Sequence, residues 1–263
     1  MSPSTTSLPA VVAPFAWRED DGMAWLEAKV GSATAVFSTR LGGVSDGAYR
    51  SLNLGVLTGD DRDRVLENRR SLASALGRDG DSIVMGRQIH GTDVQVRRAA
   101  PRPGAPLREA DGQVTGASDL TPLVLVADCV PLVLFAPGAV AAVHCGWRGI
   151  AAGIVERAVT TVRERSPEGM SAVLGPGIGP CCYEVGDDVR SAFRERELGD
   201  GVLVDSRLDL PRAIRRELEE LGVAAGRIHA CDLCTSCNPE LFFSHRRDGS
   251  VTGRQAGLAW LSL

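Results

Sequence analysis

Two textures of apolar patterning run along this chain. Leu123-Val-Leu-Val-Ala and Leu132-Val-Leu-Phe are unbroken apolar runs, and Ala139 to Val143 is a third. Such runs predict strands covered on both faces, because a strand with one wet face alternates apolar and polar residues. Pro137-Gly138 marks a turn between the last two. Asp61 to Leu76 has the other texture: Val65, Leu72 and Leu76 share a helical stripe, acids lead, and Gly77 is a stop. Trp25 to Arg40 predicts two short strands around Gly31-Ser32, and Ile83 to Val96 predicts one or two more. Past Val143, the chain passes through Gly146-Trp-Arg-Gly into Ile150 to Val162. That stretch reads as one helix with Ile154, Val155, Ala158 and Val162 on one side. Asp187 to Arg196 and Leu210 to Leu221 predict further helices, while Ala172 to Leu174, Ile228 to Ala230 and Leu258 to Leu261 predict short strands. Strands and helices are intermixed and no repeat is visible, so the class is α/β or mixed α+β. Residues 1–14 lack periodicity and predict a flexible arm; Pro101 to Pro106 is a loop with no fresh domain after it, so 15–263 reads as one domain.

Composition narrows the function. With 44% hydrophobic and 24% charged residues the chain is an ordinary globular one. A net charge of -4 argues against generic attachment to nucleic acid or an anionic membrane. Lys29 is the sole lysine, which excludes a phosphate-loop lysine or a Schiff-base lysine in the body of the chain. No basic segment leads into an apolar run and no stretch is long enough to span a bilayer, so a cytoplasmic location is expected. Seven cysteines without an export signal read as thiols, metal ligands or a nucleophile before disulfides.

The candidate chemistry gathers at strand ends. His90 closes Gln88-Ile-His, His144 ends a buried apolar run just before a predicted helix, and Asp128-Cys129 follows another such run. In α/β sheets that edge is where ligands bind. Two imidazoles and one thiolate make a three-ligand zinc set with an open position, which is the catalytic arrangement. A second reading makes Cys129 a nucleophile, His144 its base and Asp128 the orienter, with no metal. A bland reading leaves Cys129 as a small buried hydrophobe and the histidines as hydrogen-bonded core residues. The spacings match no local zinc motif and do not choose among the three. Arg40, Arg148 and Arg254 occupy unusual settings, and Arg148, at a strand-to-helix turn, suits an anion best. Asn53 either turns the backbone of Ser51-Leu-Asn-Leu-Gly or touches substrate. Cys231, Cys234 and Cys237 form a C-x-x-C-x-x-C pattern that a second metal site supplemented by His245 would use, but Cys181-Cys182 is not the second C-x-x-C that a closed zinc site wants, so reduced thiols near a loop are expected.

Several motifs then stand in fixed order. They are Phe37-Ser-Thr-Arg-Leu-Gly-Gly-Val-Ser-Asp-Gly, Ser51-Leu-Asn-Leu-Gly, Gln88-Ile-His-Gly, Ala127-Asp-Cys-Val-Pro, Val143-His-Cys-Gly-Trp-Arg-Gly and Gly175-Pro-Gly-Ile-Gly-Pro-Cys-Cys-Tyr-Glu-Val-Gly. Leu241-Phe-Phe-Ser-His-Arg-Arg-Asp and Thr252-Gly-Arg-Gln follow. From about residue 30 onward the chain resembles the bacterial laccase-domain family, formerly labelled polyphenol oxidase and related to peptidoglycan-editing factors. The resemblance implies a four-layer α/β/β/α sandwich, distantly like cysteine hydrolases of the deamidating-toxin type. It implies a zinc ion on His90, Cys129 and His144, with copper the lesser alternative carried by the old label. The implied activity is purine nucleoside phosphorolysis (adenosine, inosine, guanosine and methylthioadenosine with inorganic phosphate) together with adenosine deamination. On that reading Asp128 is the nearest proton shuttle, Arg148 and Arg40 hold phosphate, and Asn53 contacts substrate; a homodimer is compatible with it. The rival is a cytosolic amidase or cysteine-type hydrolase acting on a peptidoglycan precursor. Cys145 stands where alanine is common in the family, and His245 where tyrosine is common. Four histidines are too few to build the copper centres of a multicopper oxidase.

Overall fold

In the computed structural model, which describes residues 8–102, 105–198 and 201–262, the apolar runs Leu132 to Phe135 and Ala139 to Val143 lie at the centre of one of two facing sheets and Leu123 to Val126 lies in the other. In chain order, β1 (Phe15–Asp20), β2 (Met23–Val30) and β3 (Ala33–Ser38) precede helix α1 (Arg62–Ala75). Strands β4 (Ile83–Val84), β5 (Val94–Arg97), β6 (Gly112–Thr115), β7 (Thr121–Val126), β8 (Val130–Ala136) and β9 (Ala139–Cys145) then lead to helices α2 (Trp147–Ala152) and α3 (Ile154–Arg163). Next come β10 (Ser171–Leu174), α4 (Asp187–Glu195), a small hairpin of β11 (Leu203–Val204) and β12 (Arg207–Leu208), and α5 (Leu210–Glu220). Strand β13 (Ile228–Ala230), α6 (His245–Asp248) and β14 (Gln255–Leu261) complete the order. One sheet runs β1-β2-β3-β14-β7-β4 and the other β13-β10-β8-β9-β6-β5.

The alternation of side chains explains the layers. β8 and β9 form a hairpin closed at Pro137-Gly138, with Ala136 opposite Ala139. Leu132, Leu134, Ala141 and Val143 point into a cluster with Val155 and Val159 of α3 and Ile214 and Leu218 of α5. Val133, Phe135 and Val140 point the other way, onto Leu26, Ala35 and Phe37 of the facing sheet. That facing sheet turns Trp25, Val36 and Leu258 outward against Leu72 of α1. The result is the expected four-layer α/β/β/α sandwich. Both faces of β8 and β9 are dry, which is what their continuous apolar sequence requires. Full burial of each large aliphatic side chain there contributes roughly 1.5–3 kcal/mol.

Local chemistry sets most boundaries. Asp61 caps α1, its carboxylate accepting from the amides of Asp63 (2.8 Å) and Arg64 (3.1 Å). The single helix expected over Ile150 to Val162 is instead two. Gly153 between α2 and α3 has φ +97°, a left-handed conformation that glycine adopts without a Cβ penalty. Ile150 and Ile154, on either side of the break, both face the core. Strand β1 has no counterpart in the sequence reading because it is an edge strand with only Phe15 fully covered. The arm expected over 1–14 falls in part on residues 1–7, outside the described residues; 8–14 form no helix or strand, and Trp17 Nε1 donates to the Pro9 carbonyl (2.8 Å). The Pro101 to Pro106 loop likewise includes 103–104, outside the described residues. No described helix is long and apolar enough to cross a membrane.

Candidate functional site

Three polar side chains from three separate elements meet where the chain passes between the sheets. His90 lies on the segment joining β4 to β5. Cys129 lies where the chain leaves β7 in one sheet and enters β8 in the other. His144 is the penultimate residue of β9. Their ligand atoms all fall within 4.8 Å of one another, with Cys129 Sγ 3.8 Å from His90 Nε2. The imidazole rings stand edge to face at 4.7 Å. A tetrahedral zinc with bonds of about 2.0–2.3 Å separates neighbouring donor atoms by about 3.3–3.8 Å, so the triad has the span of such a site. Two backbone features allow the approach. His90 has φ +60° and Asp128 φ +92°, strained values for residues bearing a Cβ. Gly146 leaves the remaining room: a Cβ there would stand 2.7 Å from His90 Cδ2 and 3.0 Å from Cys129 Sγ.

Asp111, which the sequence reading did not single out, braces the triad. It is wholly buried at the start of β6. Its carboxylate accepts from the amides of Ile89 (3.1 Å), His90 (3.0 Å) and Gly91 (2.8 Å), and from His144 Nδ1 (2.7 Å). Its carbonyl also accepts from the His144 amide. Burial alone would raise the Asp111 carboxyl, but the bonds from His144, Gly91 and Ile89 hold it below its usual range. With Nδ1 engaged, His144 presents Nε2 to the centre, the orientation that a carboxylate imposes on a metal-binding histidine. Burial would push the Cys129 thiol up, yet the adjacent His144 and His90 imidazoles bring it down to about 6. Burial would likewise lower His144, but the Cys129 sulfur and Asp111 carboxylate raise it to about 9. The site therefore favours a thiolate, as metal ligation or nucleophilic attack requires. The donor set, its reach and its brace fit a single soft-to-borderline divalent cation.

The triad opens into a cavity of about 820 Å³. Arg69, Arg87, Arg148, Arg246 and Arg254 line it, as do Trp147, Tyr183, Met85 and Leu125. Asp128 and Arg148 are thus in the same cavity as the triad. The Asp128 carboxylate is already engaged: Oδ1 accepts from Thr235 Oγ1 (2.6 Å) and Oδ2 from the Arg246 amide (2.6 Å). The residue orienting His144 is Asp111, not Asp128. Arg148 is exposed and stacks on the Trp147 ring at 4.3 Å. The helix behind it begins at Trp147 and has six residues, so any anion there must rely on guanidinium more than on a helix dipole. Arg40 and Asn53 are not among the lining residues. Arg40 donates to the carbonyls of Arg50 (2.8 Å) and Pro239 (3.0 Å) and sits over the Phe243 ring. Asn53 is wholly buried, donates to Thr58 and Asp60, and accepts from the amides of Gly55 and Arg254. It turns the backbone, and so positions the wall formed by Gly55 to Thr58 and by Arg254.

Residues 34–262 match the family described as multi-copper polyphenol oxidoreductase laccase. A protein of Geobacillus stearothermophilus named purine nucleoside phosphorylase YlmD is 38% identical over 243 residues, covering 84% of this chain and 88% of its own. An Escherichia coli protein named purine nucleoside phosphorylase YfiH is 40% identical over 239 residues, covering 86% and 93%. Among solved structures, the Bacillus licheniformis hypothetical protein YfiH superposes with a TM-score of 0.87 at 33% identity, covering 95% of this chain and 100% of that one. The YlmD structure from Geobacillus stearothermophilus gives 0.87 at 35% identity, covering 95% and 99%.

Proposed function

The chain belongs to the multi-copper polyphenol oxidoreductase laccase family, and from that premise we propose that it is a purine nucleoside phosphorylase that also deaminates adenosine, working on one zinc ion held by His90, Cys129 and His144. The observation that carries this reading is the meeting of a two-imidazole, one-thiolate cluster with a single arginine-rich cavity. The names of the relatives support the phosphorylase assignment. Zinc bound there supplies Lewis acidity at an open coordination position. The protein's own groups do the rest. Asp111 holds His144 in one tautomer, with its proton on Nδ1. Trp147 and Tyr183 offer flat apolar faces to a purine. Arg148, free to leave its stack on Trp147, pairs with inorganic phosphate through a planar fork of donors, and Arg246 and Arg254 add positive charge to the same cavity. Asp128, fixed by Thr235 and Arg246, shapes the wall beside Cys129 and is the cavity-lining carboxylate assigned to proton transfer. We place this activity in a single cytoplasmic domain spanning residues 15–263.

The test is a product assay. Adenosine with phosphate should yield adenine and ribose 1-phosphate, and adenosine without phosphate should yield inosine alone. Arg148→Ala should raise the phosphate KM about tenfold or more, since a charged hydrogen bond is worth about 1.5–3 kcal/mol. Unchanged phosphate kinetics would remove Arg148 from the site. One observation favours a second reading: the low-pKa Cys129, His144 and Asp111 stand in the order of a nucleophile, base and orienter. That would make the protein a cysteine-type amidase on a peptidoglycan precursor. Activity on such an amide that survives metal removal but not thiol alkylation would choose it.

A further inference from the structure

Four of the remaining cysteines converge at a distance from the triad along both strands of a clasp. Gly177 pairs with Cys234 as an isolated bridge beyond the parallel pair β10 and β13: the Gly177 amide donates to the Leu233 carbonyl, and the Thr235 amide to the Gly177 carbonyl (3.0 Å). A tight turn in which the Cys182 amide donates to the Gly179 carbonyl swings Cys181 and Cys182 toward Cys237. Cys237 Sγ lies 3.5 Å from Cys181 Sγ and 3.4 Å from Cys182 Sγ, and all four sulfurs, with Cys234, fall within 4.8 Å of one another. Zinc–thiolate bonds of about 2.3 Å place the sulfurs of a tetrahedron about 3.8 Å apart. Cys234 and Cys237, expected as reduced thiols, are free and stand in a cluster with Cys181 and Cys182. Two of its members are the adjacent Cys181-Cys182 pair, while Cys231, which completes the C-x-x-C-x-x-C pattern in sequence, is outside it.

The backbone at Gly179 suits a bound cation. The Gly179 amide donates to Cys234 Sγ (3.3 Å), the kind of bond that stabilises a metal thiolate. Gly179 also has no room to spare: a Cβ there would meet Cys181 Sγ at 3.2 Å and Cys234 Cβ at 3.4 Å. We propose that Cys181, Cys182, Cys234 and Cys237 bind a second zinc ion as a closed, structural tetrathiolate site. Four protein ligands leave no position for substrate, so the ion's work is mechanical. It ties the loop that carries Ile178 and Tyr183 to the loop that carries Thr235, the partner of Asp128, and so stiffens one wall of the main cavity. This inference does not depend on the activity proposed above.

Metal analysis of the full chain, purified under reductant, tests it. Wild type should carry about two zinc ions per chain, Cys129→Ala about one, and Cys181→Ser/Cys237→Ser about one. Cobalt loaded into Cys129→Ala should show the intense thiolate-to-metal charge-transfer bands and tetrahedral ligand-field bands of a four-sulfur site, a readout that stands even if the double variant fails to fold. A folded Cys129→Ala protein that holds no metal, or a cobalt spectrum without thiolate bands, overturns the proposal. So does mass spectrometry showing the four cysteines paired as disulfides in the reduced preparation.

Discussion

Asp111 shows how much of a site can rest on one residue that chemistry alone does not advertise. Three amides and one imidazole converge on its carboxylate, and two of those four groups belong to His90 and His144 of the proposed metal site. An outer-shell carboxylate of this kind sets the metal affinity of the histidine it holds. Asp111→Asn is therefore expected to weaken metal binding at the triad about 10–100-fold, measured by chelator competition, while the fold persists. Unaltered affinity would mean that His144 is oriented by something else. The three residues that cluster were legible, because His90, Cys129 and His144 stand at the ends of recognisable elements within recognisable motifs. Asp111 was not, since its role depends on β6 pairing with β9, a register that brings Gly112 opposite Val143. Asn53 was legible only as one of two options. The structure places it on the backbone-turning side, with both side-chain atoms committed to Gly55, Thr58, Asp60 and Arg254.

Among the elements, α5 carries a charge that its surroundings resist. Glu217 is only 3% exposed and accepts from Arg196 Nη2 at 2.8 Å. Burial outweighs the Arg196 guanidinium and pushes the Glu217 carboxyl up to about 7. A carboxyl raised above its unfolded value binds a proton more tightly in the native state, so stability is fullest in mild acid and is lost as pH rises from about 4.5 to about 7. The shift corresponds to up to about 3 kcal/mol. Denaturant melts at pH 5 and pH 8 should show that loss in wild type and a much flatter profile in Glu217→Gln; identical profiles would deny Glu217 the role. The longer helices were readable from the sequence, including the acids that lead α1. The split at Gly153 was not, because an alanine-rich stretch carries a continuous stripe across it and only the left-handed φ reveals the turn.

For the whole molecule, the unbroken apolar runs identified a doubly covered pair of strands, and the structure makes them the middle of a four-layer sandwich. What patterning does not specify is which sheet a strand joins. β7 and β8 are separated by three residues, yet belong to different sheets, and β14 from the far end of the chain inserts between β3 and β7. That crossing is what puts Cys129 at the seam between the sheets, within reach of histidines from two other segments. The most direct measurement is the phosphate-dependent release of adenine from adenosine by wild type and Cys129→Ala, with zinc content determined on both. The account predicts base release and ribose 1-phosphate from wild type, and loss of both products together with the triad's zinc in a folded Cys129→Ala protein. Full phosphorolysis by Cys129→Ala, or none by zinc-replete wild type, would contradict it.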